Sequence, residues 1–366
     1  ITLQSALESL VLLKNANHVL PVGKNVRKIA LIGPHADHAR HFFGGYTHLS
    51  MVEAIHAVMN SLAGVDASNT ERKPMLTVPG TQVQSDETEE FAQIWRQIKP
   101  DCPSLLAKLT SSLPDAEITY AYGYPIAGAD ESHFAEALQT AAGADLVILT
   151  LGGKHGSGSV ATMGEGVDAT DINLPRCQDA FIRAAANLHK PMIGIHFGGR
   201  PISSDAADEC LDAILEAWNP SEMGAEALKR VLTGETAPSG RMPVTTARSA
   251  GQIPVYYNHP NGSSWHQGDS IGFQEYVDMP HRPRYYFGQG LSYTTFAYDG
   301  LRIDKEEVGP REKITVSCQV TNTGSRAGTE VVQLYLRDEQ ACMVRPVQEL
   351  VGFCLLYTSP SPRDRT

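Results

Sequence analysis

No stretch of this chain approaches the roughly 18 to 20 consecutive apolar residues that a membrane-spanning helix needs, so no membrane partner is expected. Basic charge is scarce: 30 Lys and Arg face 41 Asp and Glu, a formal net charge of −11. That is the wrong sign for gripping nucleic acid through its phosphates, and a neutral substrate fits better. The six cysteines (Cys102, Cys177, Cys210, Cys318, Cys342, Cys354) include no close pair, which argues against a disulfide framework and a Cys-rich zinc site and for reduced thiols. An initiator Met is missing, and ITLQSALESLVLLKN has neither a basic n-region nor a small-residue cleavage site. The chain is expected to begin inside something longer.

What is present is ample for real cores: 366 residues, 42% of them hydrophobic, with a length prior of two to three domains at about 150 residues each. Leu3, Leu7, Leu10 and Val11 fall at i, i+4, i+7 and i+8, one face of an amphipathic helix awaiting a partner. Continuous apolar runs then recur at residues 28–33, 144–151, 191–197 and 213–217. Runs hydrophobic on both faces read as strands of a parallel sheet buried between helix layers. Between them lie helical patterns: 132–143 with Phe134, Leu138 and Ala141, a helix opened by Leu174-Pro175 with Phe181, Ile182, Ala185 and Leu188 on one face, and 222–232. This alternation over about 26–250 predicts an α/β, doubly wound and mostly parallel sheet with helices on both faces. Its functional loops follow Ile32, Leu151 and Phe197 at the carboxyl ends of the strands.

Residues 48–118 break the rhythm with a polar, helix-capable insertion that contains Thr77-Val78-Pro79-Gly80 and the run Asp86 to Glu90; they are expected to form a lid or a peripheral helical pair. From Gly251 to about residue 300 the texture is aromatic and turn-rich (Tyr256, Tyr257, Trp265, Tyr276, Tyr285, Tyr286, Phe287). Residues 301–353 then alternate, as at Ile314–Val320 and Val331–Leu336, with a turn at Asn322–Gly328. This predicts strands of a partial all-β, immunoglobulin-like sandwich, of which about three are visible. The stretch 354–366, beginning Cys-Leu-Leu-Tyr-Thr-Ser-Pro-Ser-Pro-Arg-Asp, breaks with this pattern and is similar to the translation of a sequencing-library adapter. It is expected to be non-native, the alternative being a disordered Ser/Pro tail.

Six glycines crowd residues 152–166, directly after an expected strand, where backbone freedom allows close approach to a ligand. A phosphate cradle is one reading, although neither GxxxxGK[ST] nor GxGxxG is present. The other centres on Glu165, held between Gly164 and Gly166 on a long loop that can project into a neighbouring site. Lys154 and His155 share that loop, placed either to meet a substrate or to face solvent, and Tyr46 in Phe43-Gly44-Gly45-Tyr46 either binds or packs. His35, His38 and His41 repeat every three residues, as metal ligands can, but no carboxylate or cysteine completes a set, and no metal is expected. Trp265 and His266 are candidates for the rim of a site.

The segments LVLLKNANHVLPV (10–22), KIALIGPHAD (28–37), GEGVDATDINLPRCQ (164–178), GRPIS (199–203), EAWNPSEMGAEA (216–227), GQIPVYYNH (251–259), RYYFGQGLSYTTF (284–296) and VTNTGSRAGTEVVQLYL (320–336) together resemble the C-terminal half of a glycoside hydrolase family 3 enzyme. The resemblance runs from residue 1 to about 353. It implies retaining, exo-acting β-glycosidases built from a (β/α)8 barrel, an α/β sandwich and often a fibronectin type III-like domain, with only the last two present here. Residues 1–25 are then a linker helix and loop from the missing barrel, 26–250 the α/β sandwich, 251–300 a connecting segment and 301–353 a truncated fibronectin type III-like domain. In the family the Asp nucleophile sits on the barrel and the general acid/base is a Glu on a mobile loop. The glutamate of its E-G-x-D-R motif matches Glu165 in Glu165-Gly166-Val167-Asp168, with Ala169 where the Arg usually stands. Phe43-Gly44-Gly45-Tyr46 corresponds to the family's glycine-aromatic stretch near the substrate, so Tyr46 is the implied stacking contact, and Lys154 and His155 on the loop of Glu165 are candidate hydrogen-bond partners of sugar hydroxyls. Expected partners are an oligosaccharide or β-glycoside and the barrel in cis, with no cofactor; homo-oligomerisation stays open, as does a non-catalytic carbohydrate-binding or scaffold role.

Overall fold

The computed structural model describes residues 1–63, 76–85, 88–260 and 275–359; Trp265, His266, Asp86 and Glu87 lie outside them, as does most of the tail. Six strands form the main sheet: β1 (Val11–Asn15), β2 (Lys28–Ile32), β3 (Glu117–Ala121), β4 (Leu146–Gly152), β5 (Met192–Phe197) and β6 (Ala213–Trp218). Their order is β1-β6-β5-β4-β2-β3, with β1 antiparallel to β6 and every other pairing parallel. The helices are α1 (Thr2–Ser9), α2 (Pro34–Asp37), α3 (His48–Ala63), α4 (Glu89–Ile98), α5 (Leu105–Ser112), α6 (Phe134–Ala142), α7 (Arg176–Ala186), α8 (Asp205–Cys210) and α9 (Gly224–Thr233). None is long and apolar enough to cross a membrane.

The apolar runs form strands because each side of the sheet is covered. Leu146 and Ile148 of β4 point into one core with Ile193, Ile195 and Phe197 of β5 and Leu228 and Val231 of α9. Val147, Leu149 and Leu151 point into a second core with Phe181 and Ile182 of α7 and Ala137 of α6. Period-two alternation delivers both sets from one run, so a strand buried on both faces looks uniformly hydrophobic. Gly194 on β5 is where Leu211 packs; a Cβ there would come within 2.5 Å of Leu211 Cδ1. Ser104 and Ser204 cap α5 and α8 by accepting from the amides of Ala107 and Ala207, and α9 stops at Gly234 in the left-handed conformation.

Two edge strands correct the sequence reading. The helix expected through Val11 ends at Ser9, and residues 11–15 instead pair with β6, so the segment 1–25 contributes a strand to the sheet. Its helix is not left without a partner either: α1 lies against α9, with Leu7 and Leu10 buried. At the other edge, β3 begins at Glu117 inside the expected insertion, and α5 packs on β3 and α9 as a regular layer helix. The additional helices are α3 and α4, which pack on each other, α3 also covering residues 158–160 of the loop after β4.

Beyond the α/β body, β7 (Phe296–Ile303) pairs with β8 (Val316–Asn322), and β9 (Gly328–Leu336) pairs with β10 (Glu349–Thr358), both antiparallel. The described residues therefore hold four strands where about three were visible, and β10 runs past Phe353 because Cys354–Thr358 continue its register with β9. Most of their side chains are exposed, Phe353 at 73% and Tyr357 at 71%. The aromatic block serves packing: Tyr257 stacks on Phe287 at 4.1 Å, and the Tyr285 hydroxyl donates to Asp208 Oδ1 at 2.6 Å. Arg284 reaches Ser203 Oγ at 2.6 Å and pairs with Asp205 and Asp208 of α8.

Because Leu12 is fully buried in β1, Leu12→Ala should cost about 2–5 kcal/mol in urea unfolding. Leu301→Ala on exposed β7 should change stability by no more than about 0.5 kcal/mol. Similar losses at both positions would contradict the burial described.

Candidate active site

Strand order places β2 between β3 and β4, so the chain reverses its direction of growth across β2. Loops leaving β2 and β4 diverge at such a switch point, and ligands of α/β sheets bind there. Gly33 opens the first loop at φ 114°, where a Cβ would lie 2.4 Å from the Thr150 carbonyl. Gly152 opens the second at φ 112°, with the Phe197 carbonyl 2.0 Å from a Cβ position. Only glycine passes both constrictions without moving the neighbouring strand.

The glycine-rich loop has an ordered stem. The Gln178 side chain accepts from Gly152 N at 2.7 Å and donates to Gly152 O at 2.8 Å. Thr162 accepts from Lys154 N through Oγ1 at 3.0 Å and returns its own amide to Lys154 O at 2.9 Å. Gly156 N donates to Met163 O at 2.9 Å. The tip follows at Gly164 (φ 133°), Glu165 and Gly166 (φ 69°), with Glu165 exposed. A Cβ on Gly164 would sit 2.0 Å from the Gly156 carbonyl, whereas Gly166 stands in open space.

Tyr46 is brought to this tip by the loop after β2. Its hydroxyl donates to Glu165 Oε2, and its backbone is at φ 65°, a conformation an aromatic residue rarely adopts. The hydrogen bond to Glu165, and then that carboxylate's charge, push the phenol above its ordinary value. His155 is wedged between loops: a Cβ on Gly44 would be 2.9 Å from its Nδ1, and one on Gly199 2.5 Å from its Cγ. Asn219, just after β6, donates to His155 Nδ1 at 3.1 Å. Burial, then the Lys154 charge, hold the imidazole below its usual value, which suits an acceptor nitrogen. The segments that follow β2, β4, β5 and β6 thus meet around His155.

Lys154 points the other way. It is fully buried, its Nζ 2.8 Å from Glu53 Oε2 and 3.3 Å from the Arg40 carbonyl. Arg40 Nε lies 2.7 Å from Glu53 Oε1. Burial alone would raise the Glu53 carboxyl, but Arg40 and Lys154 together hold it below its ordinary value. The same burial, with Arg40 nearby, lowers Lys154 despite Glu53. Lys154, expected to reach a substrate or face solvent, is turned into the interior, its ammonium committed to Glu53. Arg40, Glu53, Gln178 and Asn219 are site-supporting residues that the sequence reading did not single out. Glu53 carried a signal, an acidic residue among Leu49, Ser50 and Ala57 on the buried side of α3.

His35 and His41 do come together, ring centroids 4.8 Å apart, but His35 Nε2 contacts the Gly153 carbonyl and its ring stacks on Phe197. Among the described residues no group of three His, Cys, Asp or Glu side chains could hold a metal ion. A cleft of about 550 Å³ adjoins the loop, lined by Gly153, Met163, Asp171, Arg176 and Arg200 among others. Neither Glu165, Tyr46 nor His155 lines it.

The model of the glycosyl hydrolase family 3 C-terminal domain matches residues 10–293. The chain belongs to glycosyl hydrolase family 3. It is 32% identical to a periplasmic beta-glucosidase of Salmonella typhimurium over 98% of this chain and 43% of that protein. It is 29% identical to a beta-xylosidase of Formosa agariphila over 98% of this chain and 42% of that one. Among solved structures, a beta-glucosidase from Listeria innocua in complex with isofagomine superposes with a TM-score of 0.74 at 26% identity, over 98% of this chain and 42% of that one. A beta-glucosidase from Erythrobacter marinus gives 0.73 at 29% identity, over 98% and 43%. This family 3 chain therefore spans about two fifths of the length of these relatives, and the part it matches is the C-terminal one.

Glu53→Gln leaves two buried cations facing each other and should cost about 3–5 kcal/mol at neutral pH. The pH dependence follows from the lowered folded value: the unfolded carboxyl, near 4.5, binds its proton first as pH falls. Stability from Glu53 is thus complete above that value and drains away below it. Urea unfolding at stepped pH between 6 and 3 should show a shallower acid loss in Glu53→Gln than in wild type; parallel curves would refute the charged cluster.

Proposed function

We propose that this chain supplies the general acid/base, Glu165, of a retaining exo-acting β-glycosidase that releases terminal β-linked glucose or xylose. The nucleophile would be an Asp on an N-terminal barrel that completes the site. The observation that carries the reading is the placement of Glu165: an exposed carboxyl on a glycine-flanked tip at the switch point, in a segment that resembles the family's E-G-x-D-R motif apart from Ala169. Exposure of this group is what a shared site requires, since its working surroundings come from the other domain.

A retaining glycosidase needs two carboxyl groups roughly 5 to 5.5 Å apart, one ionised to attack the anomeric carbon and one protonated to serve the leaving oxygen. Glu165 gives its proton to the aglycone oxygen as the glycosyl-enzyme forms, then takes one from the water that hydrolyses it. Closure of the site over the sugar excludes bulk water from the reacting bond. The stem from Gly152 to Met163 is bonded to Gln178 and within itself, whereas the tip closes only locally, through Val167 N to Gly164 O at 3.1 Å and Tyr46 to Glu165, so the tip is the part that moves when sugar binds. Tyr46 donates to the Glu165 carboxylate, and its ring and the wedged His155 face the substrate as stacking and polar contacts.

On this reading the chain alone turns over no β-glycoside, and full-length enzyme carrying Glu165→Ala loses about 100-fold or more on alkyl β-glycosides. Azide should restore turnover on an activated aryl glycoside and yield the β-glycosyl azide. Normal hydrolysis of alkyl glycosides by Glu165→Ala would remove Glu165 from the role. Hydrolysis by the isolated chain would remove the need for a second domain.

A further inference from the structure

Three buried charges sit beside the loop without touching the reacting groups. Glu53 of α3 bridges Arg40, on the turn after α2, and Lys154, on the stem of the Glu165 loop. Lys154 and Glu53 are fully buried and Arg40 is 5% exposed. The Arg40 guanidinium also lies over the Phe91 ring of α4 at 4.9 Å. Taking such charges out of water is costly, and a buried ion pair is weak evidence of net stability, since apolar replacements often do as well. What a cluster of this kind does supply is geometry, because each charge is acceptable only where its partner is.

The connection from this cluster to Glu165 is short. Lys154 exchanges two hydrogen bonds with Thr162, and Gly156 is bonded to Met163, the residue before Gly164. We propose that Lys154 is a positioning residue whose buried ion pair with Glu53 fastens the stem of the loop to α3 and so sets where Glu165 stands over the substrate. Helices α3 and α4, the additions to the α/β framework, then act as a bracket for the loop. This rests on Glu165 being the acid/base, and it replaces a direct sugar contact for Lys154 with an indirect role.

Lys154→Met is the sharpest variant, because it cuts the tether, keeps an unbranched side chain that lacks the terminal ammonium and leaves Glu53 paired with Arg40. In full-length enzyme, kcat/KM reports glycosylation, the step that needs the acid when the leaving group is poor. For Lys154→Met, kcat/KM on an alkyl β-glycoside should fall about 10- to 100-fold, and on the matching 2,4-dinitrophenyl β-glycoside by less than about 2-fold. Lys154→Arg, which keeps the charge, should recover most of the loss. In the chain itself, hydrogen exchange at the Thr162 and Met163 amides should speed up about tenfold or more in Lys154→Met, while β4 and β5 stay protected. Equal losses on both glycosides would point to a general structural defect, and a raised KM with unchanged kcat to a sugar ligand; either overturns the proposal. So does unchanged exchange. Glu165→Ala, run alongside, separates the two ideas: if it lacks the leaving-group signature the acid/base reading fails, and if only Lys154→Met lacks it the positioning role fails.

Discussion

Parallel pairing of β2 with β4, both buried on two faces, is the constraint on which the rest depends. Parallel neighbours send their following loops out of the same edge of the sheet, and Gly33 and Gly152 let the two chains leave within contact distance of adjacent strands. Tyr46 and Glu165 lie 119 residues apart in sequence and meet because of this geometry. The segments that follow four strands converge on His155 for the same reason. Nothing local to the glycine-rich segment would bring these groups together.

The loop itself divides into a stem tied to the body and an exposed tip, and the division follows the distribution of partners. Its stem is tied through Gln178, Thr162 and the Lys154–Glu53 pair, all buried or half-buried. Its tip carries two glycines at positive φ and a carboxyl open to solvent. An acid/base that approaches its substrate from a second domain needs both properties. On the proposed reading the stem limits where the carboxyl can go, and the tip lets it adjust on binding. Burying three charges to hold the stem costs solvation, and the strained backbone of Tyr46 costs more. Features of this kind concentrate where position matters more than stability.

Much of the framework is legible in the residues. Runs such as Leu146–Leu151 and Met192–Phe197 announce buried strands because both of their alternating faces are apolar, and the helices between them show their stripes. The edge strands are harder to read. Residues 11–15 continue the apolar spacing of α1, and the β3 segment Glu-Ile-Thr-Tyr-Ala is short and half polar, because an edge strand needs burial on only part of its surface. Local pattern cannot tell such segments from a helix end or a loop; pairing with β6 or β2 decides.

For the site, the sequence by itself determined the candidate acid/base and its setting: a glutamate between glycines after a buried strand, in a chain whose motifs match one family in order. Composition also argued against a polyanionic partner, since an acidic chain with a formal charge of −11 repels one. Tertiary structure alone decided what each neighbour does. Lys154 and His155 are adjacent in the chain, yet one is turned into an ion cluster and the other into the junction of four loops. A long basic side chain is equally compatible with solvent, substrate or a buried partner, and only the presence of Glu53 on a helix a hundred residues earlier settles which is lowest in free energy.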